Sequence, residues 1–138
     1  MMRLWSYQLI PVLPNQMLVS QWRECIAIKR QWEKGTLKHR LVSYVMEHSS
    51  NYFMNYVVAV VEEMALRKIK FQDKYYNEII KFCSLGSPYI NYPEHNYRYL
   101  KQCYYNLQEK YDCGGITDDE WQRIEDKFGD ICNGIYNR

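Results

Sequence analysis

The sequence predicts an all-α fold, a compact single-domain bundle of three long and about two short helices. Apolar residues recur with helical spacing almost throughout, and no segment alternates convincingly at period two. The β-branched residues, Val57, Val60 and Val61 among them, sit inside a helical pattern. The chain has 138 residues, 47% of them hydrophobic, with only 6 Gly and 4 Pro, which is enough for one core and too little Gly and Pro for a fibre or a disordered linker. No repeat or linker divides it, so 1–138 reads as one domain.

Pro11 and Pro14 break the start, and Asn15 can cap a first long helix over about 15–34. Leu18, Trp22, Cys25 and Ile26 form its apolar face and Gly35 ends it. The polar, basic stretch from Gly35 to Ser50 reads as loop with one short helix at most. A second helix spans roughly 51–69, capped by Ser49, Ser50 or Asn51, with Phe53, Tyr56, Val57, Val60, Val61, Met64 and Ala65 inward.

Asp73 opens a shorter helix with Tyr76, Ile79, Ile80 and Cys83 inward, which stops near Gly86, Ser87 and Pro88. From Glu94 to Tyr111 the series Tyr97, Leu100, Tyr104, Leu107 and Tyr111 marks a third long helix, with Pro93 in its first turn and Gly114 and Gly115 after it. Thr117 to Glu120 make a capping box for a short acidic helix carrying Trp121, Ile124 and Phe128. Gly129 closes it, and the last nine residues read as irregular.

No apolar run reaches the roughly 18 residues of a membrane span, since Tyr56 to Val61 stops at Glu62 and Glu63. The start lacks the features of a secretory signal, which leads us to expect a cytoplasmic protein. The cysteines, Cys25, Cys83, Cys103, Cys113 and Cys132, are odd in number and contain no C-x-x-C, so reduced, mostly buried thiols are expected. His39, His48 and His95 show no ligand spacing and read as surface or capping residues. No metal is expected.

Charge is unevenly spread although the net value is only +2. Residues 1–40 carry seven Lys/Arg against Glu24 and Glu33, or +5, whereas 112–130 carry seven Asp/Glu against Arg123 and Lys127, or −5. Arg23, Ala27, Arg30 and Lys34 follow one stripe of the first helix, and the basic end is where a polyanion would bind.

The familiar catalytic signatures, including G-x-S-x-G, the P-loop and H-E-x-x-H, are missing. Cys103 and His95 lie eight apart on one predicted helix, about 12 Å of rise, too far for a hydrogen-bonded pair. Fourteen tyrosines and four tryptophans are mostly core by period. Tyr7, Tyr89 and Tyr92, in predicted loops, remain as candidate stacking platforms for nucleobases.

The segments that carry most information are M-R-L-W at Met2 to Trp5, N-Q-M-L at Asn15 to Leu18 and W-R-E at Trp22 to Glu24. Their order resembles the pyrimidine-dimer DNA glycosylase and abasic-site lyase family, the phage endonuclease V type. Together with H-R-L-V-S-Y at His39 to Tyr44 and Q-C-Y-Y-N-L-Q-E-K-Y at Gln102 to Tyr111, the chain is similar over nearly its whole length to a bacterial branch starting MRLW.

The resemblance implies a compact all-α domain that acts as a monomer, without cofactor, on damaged or abasic double-stranded DNA. The nucleophile it implies is the chain's own α-amino group, which forms a Schiff base at C1′ and then drives β-elimination. A terminal amine titrates near 7.7–8.0, so on the order of a tenth is neutral at pH 7, whereas a lysine near 10.4 is almost wholly charged.

By match, Met2 would carry the amine and Glu24 would stabilise the sugar cation and move protons. Arg3 and Arg23 would hold the phosphates flanking the lesion, and Lys110 would add a backbone contact. Arg30, Lys34, Lys38 and Arg40 have no assigned counterpart, but suit a phosphate-tracking surface.

Three positions depart from the family pattern. Met2 replaces a small residue, Met17 a histidine and Ala27 an arginine. Met1, if retained, would block the amine; translation from Met2 would place it beside Arg3. The chemistry requires Glu24 within about 8 Å of that nitrogen. The alternative is a non-catalytic helical nucleic-acid- or protein-binding domain on the same scaffold.

Overall fold

The computed structural model describes residues 2–83 and 90–136, and the fold is all-α: no strand occurs among the described residues. The elements are α1 (Asn15–Lys34), α2 (Ser50–Leu66), α3 (Asp73–Phe82), α4 (Tyr97–Asp112) and α5 (Asp118–Tyr136), with 3₁₀ turns at Tyr7–Val12 and Ser43–Glu47. Four helices are long rather than three. No described helix is long and apolar enough to cross a membrane.

Helix α1 ends as its sequence suggests. Gly35 adopts φ 73°, and Thr36 N–H bonds the Gln31 carbonyl at 2.8 Å, closing the last turn. Its start differs, because Pro14 occupies the capping position and Asn15 is already helical. The Asn15 side chain accepts instead from the Arg67 guanidinium at 3.0 Å. Arg67 also pairs with Glu63 at 2.8 Å and donates to the carbonyls of Pro11 and Leu13, which binds the first 3₁₀ turn to the end of α2.

Helix α2 stops at Leu66 rather than 69, because Lys68 turns left-handed at φ 60° and Ile69 N–H bonds back to the Met64 carbonyl. Ser49 caps it by position, without a side-chain bond. Leu18, Trp22 and Cys25 of α1 meet Phe53, Val57 and Val60 of α2 in one continuous core that includes Ile79, Leu100, Leu107 and Ile124. Ala65 and Ile80, expected inward, are exposed.

Helix α4 begins at Tyr97, after Pro93, because Asn96 supplies the cap: its side chain accepts from Tyr99 N–H at 2.9 Å. The capping box of α5 forms in both directions, Glu120 N–H to the Thr117 hydroxyl at 3.2 Å and Thr117 N–H to the Glu120 carboxylate at 2.9 Å. The helix then runs through Gly129 to Tyr136, which corrects both the expected stop and the irregular tail. An interior glycine costs about 1 kcal/mol, and packing of α5 on the first 3₁₀ turn and on α4 outweighs it. Gly86, Ser87, Pro88 and Tyr89 lie outside the described residues, as does Met1.

His95 is not a surface residue but is buried among Tyr7, Tyr44, Tyr56, Tyr92 and Tyr99. Its Nδ1 accepts from Tyr7 N–H at 3.2 Å, so the proton sits on Nε2, 2.5 Å from the Tyr44 hydroxyl. Burial pushes the imidazole from 6.5 down to about 4.

As pH falls, the unfolded chain therefore takes up this proton first. The stabilisation is complete above about pH 6.5 and is lost progressively by about pH 4, roughly 3 kcal/mol in all. Urea denaturation should show a smaller drop in midpoint between pH 7 and pH 4 for His95→Gln than for the parent, because glutamine keeps an acceptor and a donor without titrating.

Candidate active site

Residues 3–6 enter the interior without helix or strand before the first 3₁₀ turn, with Leu4, Trp5 and Ser6 buried. Backbone buried without a helix or sheet needs side-chain partners. Each is supplied. Arg3 N–H bonds Glu24 Oε2 at 3.2 Å and Arg3 C=O accepts from Gln21 at 2.9 Å. Tyr99 donates to the Leu4 carbonyl, Trp5 N–H bonds Gln21 at 2.8 Å, and Tyr56 donates to the Trp5 carbonyl at 2.6 Å. Ser6 N–H reaches the Cys103 sulfur at 3.4 Å.

At the outer end of this segment lies a cleft of about 390 Å³, walled by Arg3 and Trp5, by Met17, Ser20, Gln21 and Glu24 of α1, and by Asn106 and Lys110 of α4. The Arg3 guanidinium sits 5.3 Å over the Trp5 ring, a cation–π contact that aims its charge. Glu24 is half-buried. Burial raises its carboxyl above the ordinary glutamate value, opposed by the Arg3 N–H and Gln21 bonds. A raised carboxyl beside a cationic cleft is suited to both accepting and returning a proton.

Met2 is half-buried against the core. Its nitrogen lies three covalent bonds from that of Arg3, a span of roughly 3–4 Å. With Arg3 N–H 3.2 Å from Glu24, the Met2 nitrogen and the carboxylate are therefore within about 7 Å of each other. That gap admits one sugar carbon.

Of the cationic candidates, only Arg3 and Lys110 line the cleft with Glu24. Arg23 is exposed on α1 outside the lining, as is Lys34 in its last turn. Arg30 pairs with Glu78 at 3.5 Å and lies over the Tyr75 ring, while Lys38 and Arg40 are exposed on the loop after α1.

Tyr92 is buried and Tyr7 stacks on His95, so neither is a free platform for a base; Tyr89 lies outside the described residues. His95 and Cys103, set aside as a catalytic pair, instead serve as partners for the entering backbone. All five cysteines are free, and burial pushes the Cys25 and Cys103 thiols up, away from nucleophilic character. No group of His, Cys, Asp or Glu among the described residues could hold a metal ion.

Sequence reasoning missed Gln21, Trp5, Ser20 and Asn106. Ser20 fell on the polar side of the α1 pattern, and Asn106 was not singled out on α4. Gln21 lies three residues after Leu18 and four before Cys25, so helical period places this amide on the inward face, and that was the signal that could have found it.

A family model described as pyrimidine dimer DNA glycosylase matches residues 2–77, over half the chain, taking in the extended segment, α1 and α2. No curated protein and no solved structure gives a significant match.

Proposed function

The chain belongs to the pyrimidine dimer DNA glycosylase family, and on that premise we propose that it is a DNA repair glycosylase with abasic-site lyase activity whose nucleophile is the α-amine of Met2. The observation that carries the proposal is the Arg3 N–H bond to Glu24, which ties the chain start to the one acid of a cationic cleft. Double-stranded DNA, damaged or abasic, is the proposed partner, bound by a monomer without cofactor. The free thiols fit a reducing compartment, and we place the protein in the cytoplasm.

In the proposed reaction the neutral amine attacks C1′ as the glycosidic bond breaks, and the departing base takes a proton from solvent. One of the two protons on the attached nitrogen passes to O4′ as the ring opens, which leaves a protonated imine. Glu24 removes a proton from C2′, the electron pair forms the C2′–C3′ double bond, and the 3′ phosphate leaves. Water then releases the enzyme by hydrolysing the imine. Arg3 and Lys110 neutralise phosphates at the cleft, while Arg23 and the outer cations Arg30, Lys34, Lys38 and Arg40 extend the contact along the backbone.

Binding should accordingly weaken steeply with salt. Lys110→Gln is expected to reduce the slope of log Kobs against log salt by about 1, with equal loss on all duplex sequences. Fluorescence anisotropy on an abasic-site duplex and on an undamaged duplex measures this. An unchanged slope would remove Lys110 from the DNA contact. The lyase step itself is tested by borohydride trapping on abasic DNA, where absence of an adduct would leave only a binding domain.

A further inference from the structure

Gln21 is 1% exposed, an unusual place for a primary amide, and both ends of the amide are in use. Its oxygen accepts from Trp5 N–H at 2.8 Å and lies 3.1 Å from the Tyr56 hydroxyl. Its nitrogen donates to the Arg3 carbonyl at 2.9 Å and to Glu24 Oε2 at 3.2 Å. One side chain thus holds the segment leading to Met2 and also the carboxylate.

The two oxygens of Glu24 are therefore not equivalent. Oε2 accepts from both Arg3 N–H and Gln21, whereas no hydrogen bond engages Oε1 among the described residues. We propose that Gln21 is a positioning residue that fixes Oε2 as the anchor and leaves Oε1 as the oxygen that moves protons in the cleft. The assignment rests on the lyase reading above for its chemical purpose, and on the hydrogen bonds alone for its geometry.

Only an amide fits this position. A glutamate would lose both N–H donors and set a second carboxylate against Glu24; a methionine would fill the volume but bond nothing. The other charged groups facing Glu24 are the chain's terminal amine, the Arg3 guanidinium of the extended segment and, across the cleft, Lys110 of α4. All three favour the ionised acid, as does the Gln21 bond, so loss of that bond moves the Glu24 titration to higher pH.

The test combines Gln21→Met and Gln21→Glu with two readouts. Without DNA, ¹³C NMR follows the Glu24 carboxyl through pH, and amide exchange reports on Trp5. With abasic-site DNA, kcat and KM for strand cleavage are measured through pH.

Both variants should raise the Glu24 titration, with Gln21→Glu the larger, and speed exchange at Trp5. The value of kcat should fall roughly 10- to 100-fold with little change in KM, and its acid limb should move up in pH. Folded variants with unchanged Glu24 titration and unchanged kcat overturn the proposal, as does a loss confined to KM. If the parent cleaves nothing while the titration still moves, the clamp stands and the lyase reading falls. Should Gln21→Glu fail to fold, Gln21→Met carries the same comparison.

Discussion

Glu24→Gln is expected to slow single-turnover strand cleavage at an abasic site by roughly 10²–10⁴-fold, the usual contribution of a positioned acid–base group. The amide keeps an oxygen for Arg3 N–H and Gln21, so the extended segment stays anchored. It cannot take a proton from C2′. Formation of the imine should suffer less than elimination, so a borohydride-trapped adduct should persist while cleavage fails.

Stability distinguishes this loss from misfolding. Burial raises the Glu24 carboxyl, which means that the charged form is the disfavoured one in the folded protein. The stabilising contribution of such a group is present below the ordinary glutamate range and is lost as pH rises through its raised value. Replacing it with a neutral amide removes that penalty at pH 7. Glu24→Gln should therefore unfold in urea at a concentration no lower than the parent does at pH 7, with any advantage shrinking toward pH 4. A variant both inactive and markedly less stable would make Glu24 a structural residue.

Retaining Met1 is expected to abolish trapping and cleavage, whereas protein beginning at Met2 should perform both. An amide nitrogen at Met2 is not a nucleophile, and the amine of Met1 lies one residue further along the chain, a reach of roughly 3.5 Å. Selective acetylation of the Met2 amine should have the same effect, down to the limit of detection. Binding to abasic DNA should survive both changes, since Arg3, Lys110 and the outer cations are untouched. Equal cleavage by the blocked and free forms would move the nucleophile elsewhere.

Much of the fold was legible because local signals and packing agreed. Gly35, the Thr117–Glu120 box and the Phe53–Met64 face each formed as their residue chemistry demands. The errors arose where tertiary contacts decided. Helix α5 crosses Gly129 because its continuation is packed on the first 3₁₀ turn, and His95 is buried because the entering backbone needs an acceptor at Tyr7. Of the candidate site, Met2, Arg3, Glu24 and Lys110 were nameable from the family-like segments; Arg3, Glu24 and Lys110 line one cleft, and Met2 adjoins it through its peptide link to Arg3. Gln21 was not, since only the path of the buried segment gives that amide its four partners.

In the proposed mechanism the chain's own α-amine is the nucleophile. Borohydride reduction of the Met2-start protein on an abasic-site duplex, followed by peptide mass spectrometry of the adduct, tests it most directly. The sugar remnant is expected on the Met2 amine and nowhere else. An adduct on a lysine side chain, or none at all under conditions where the DNA is bound, would contradict it.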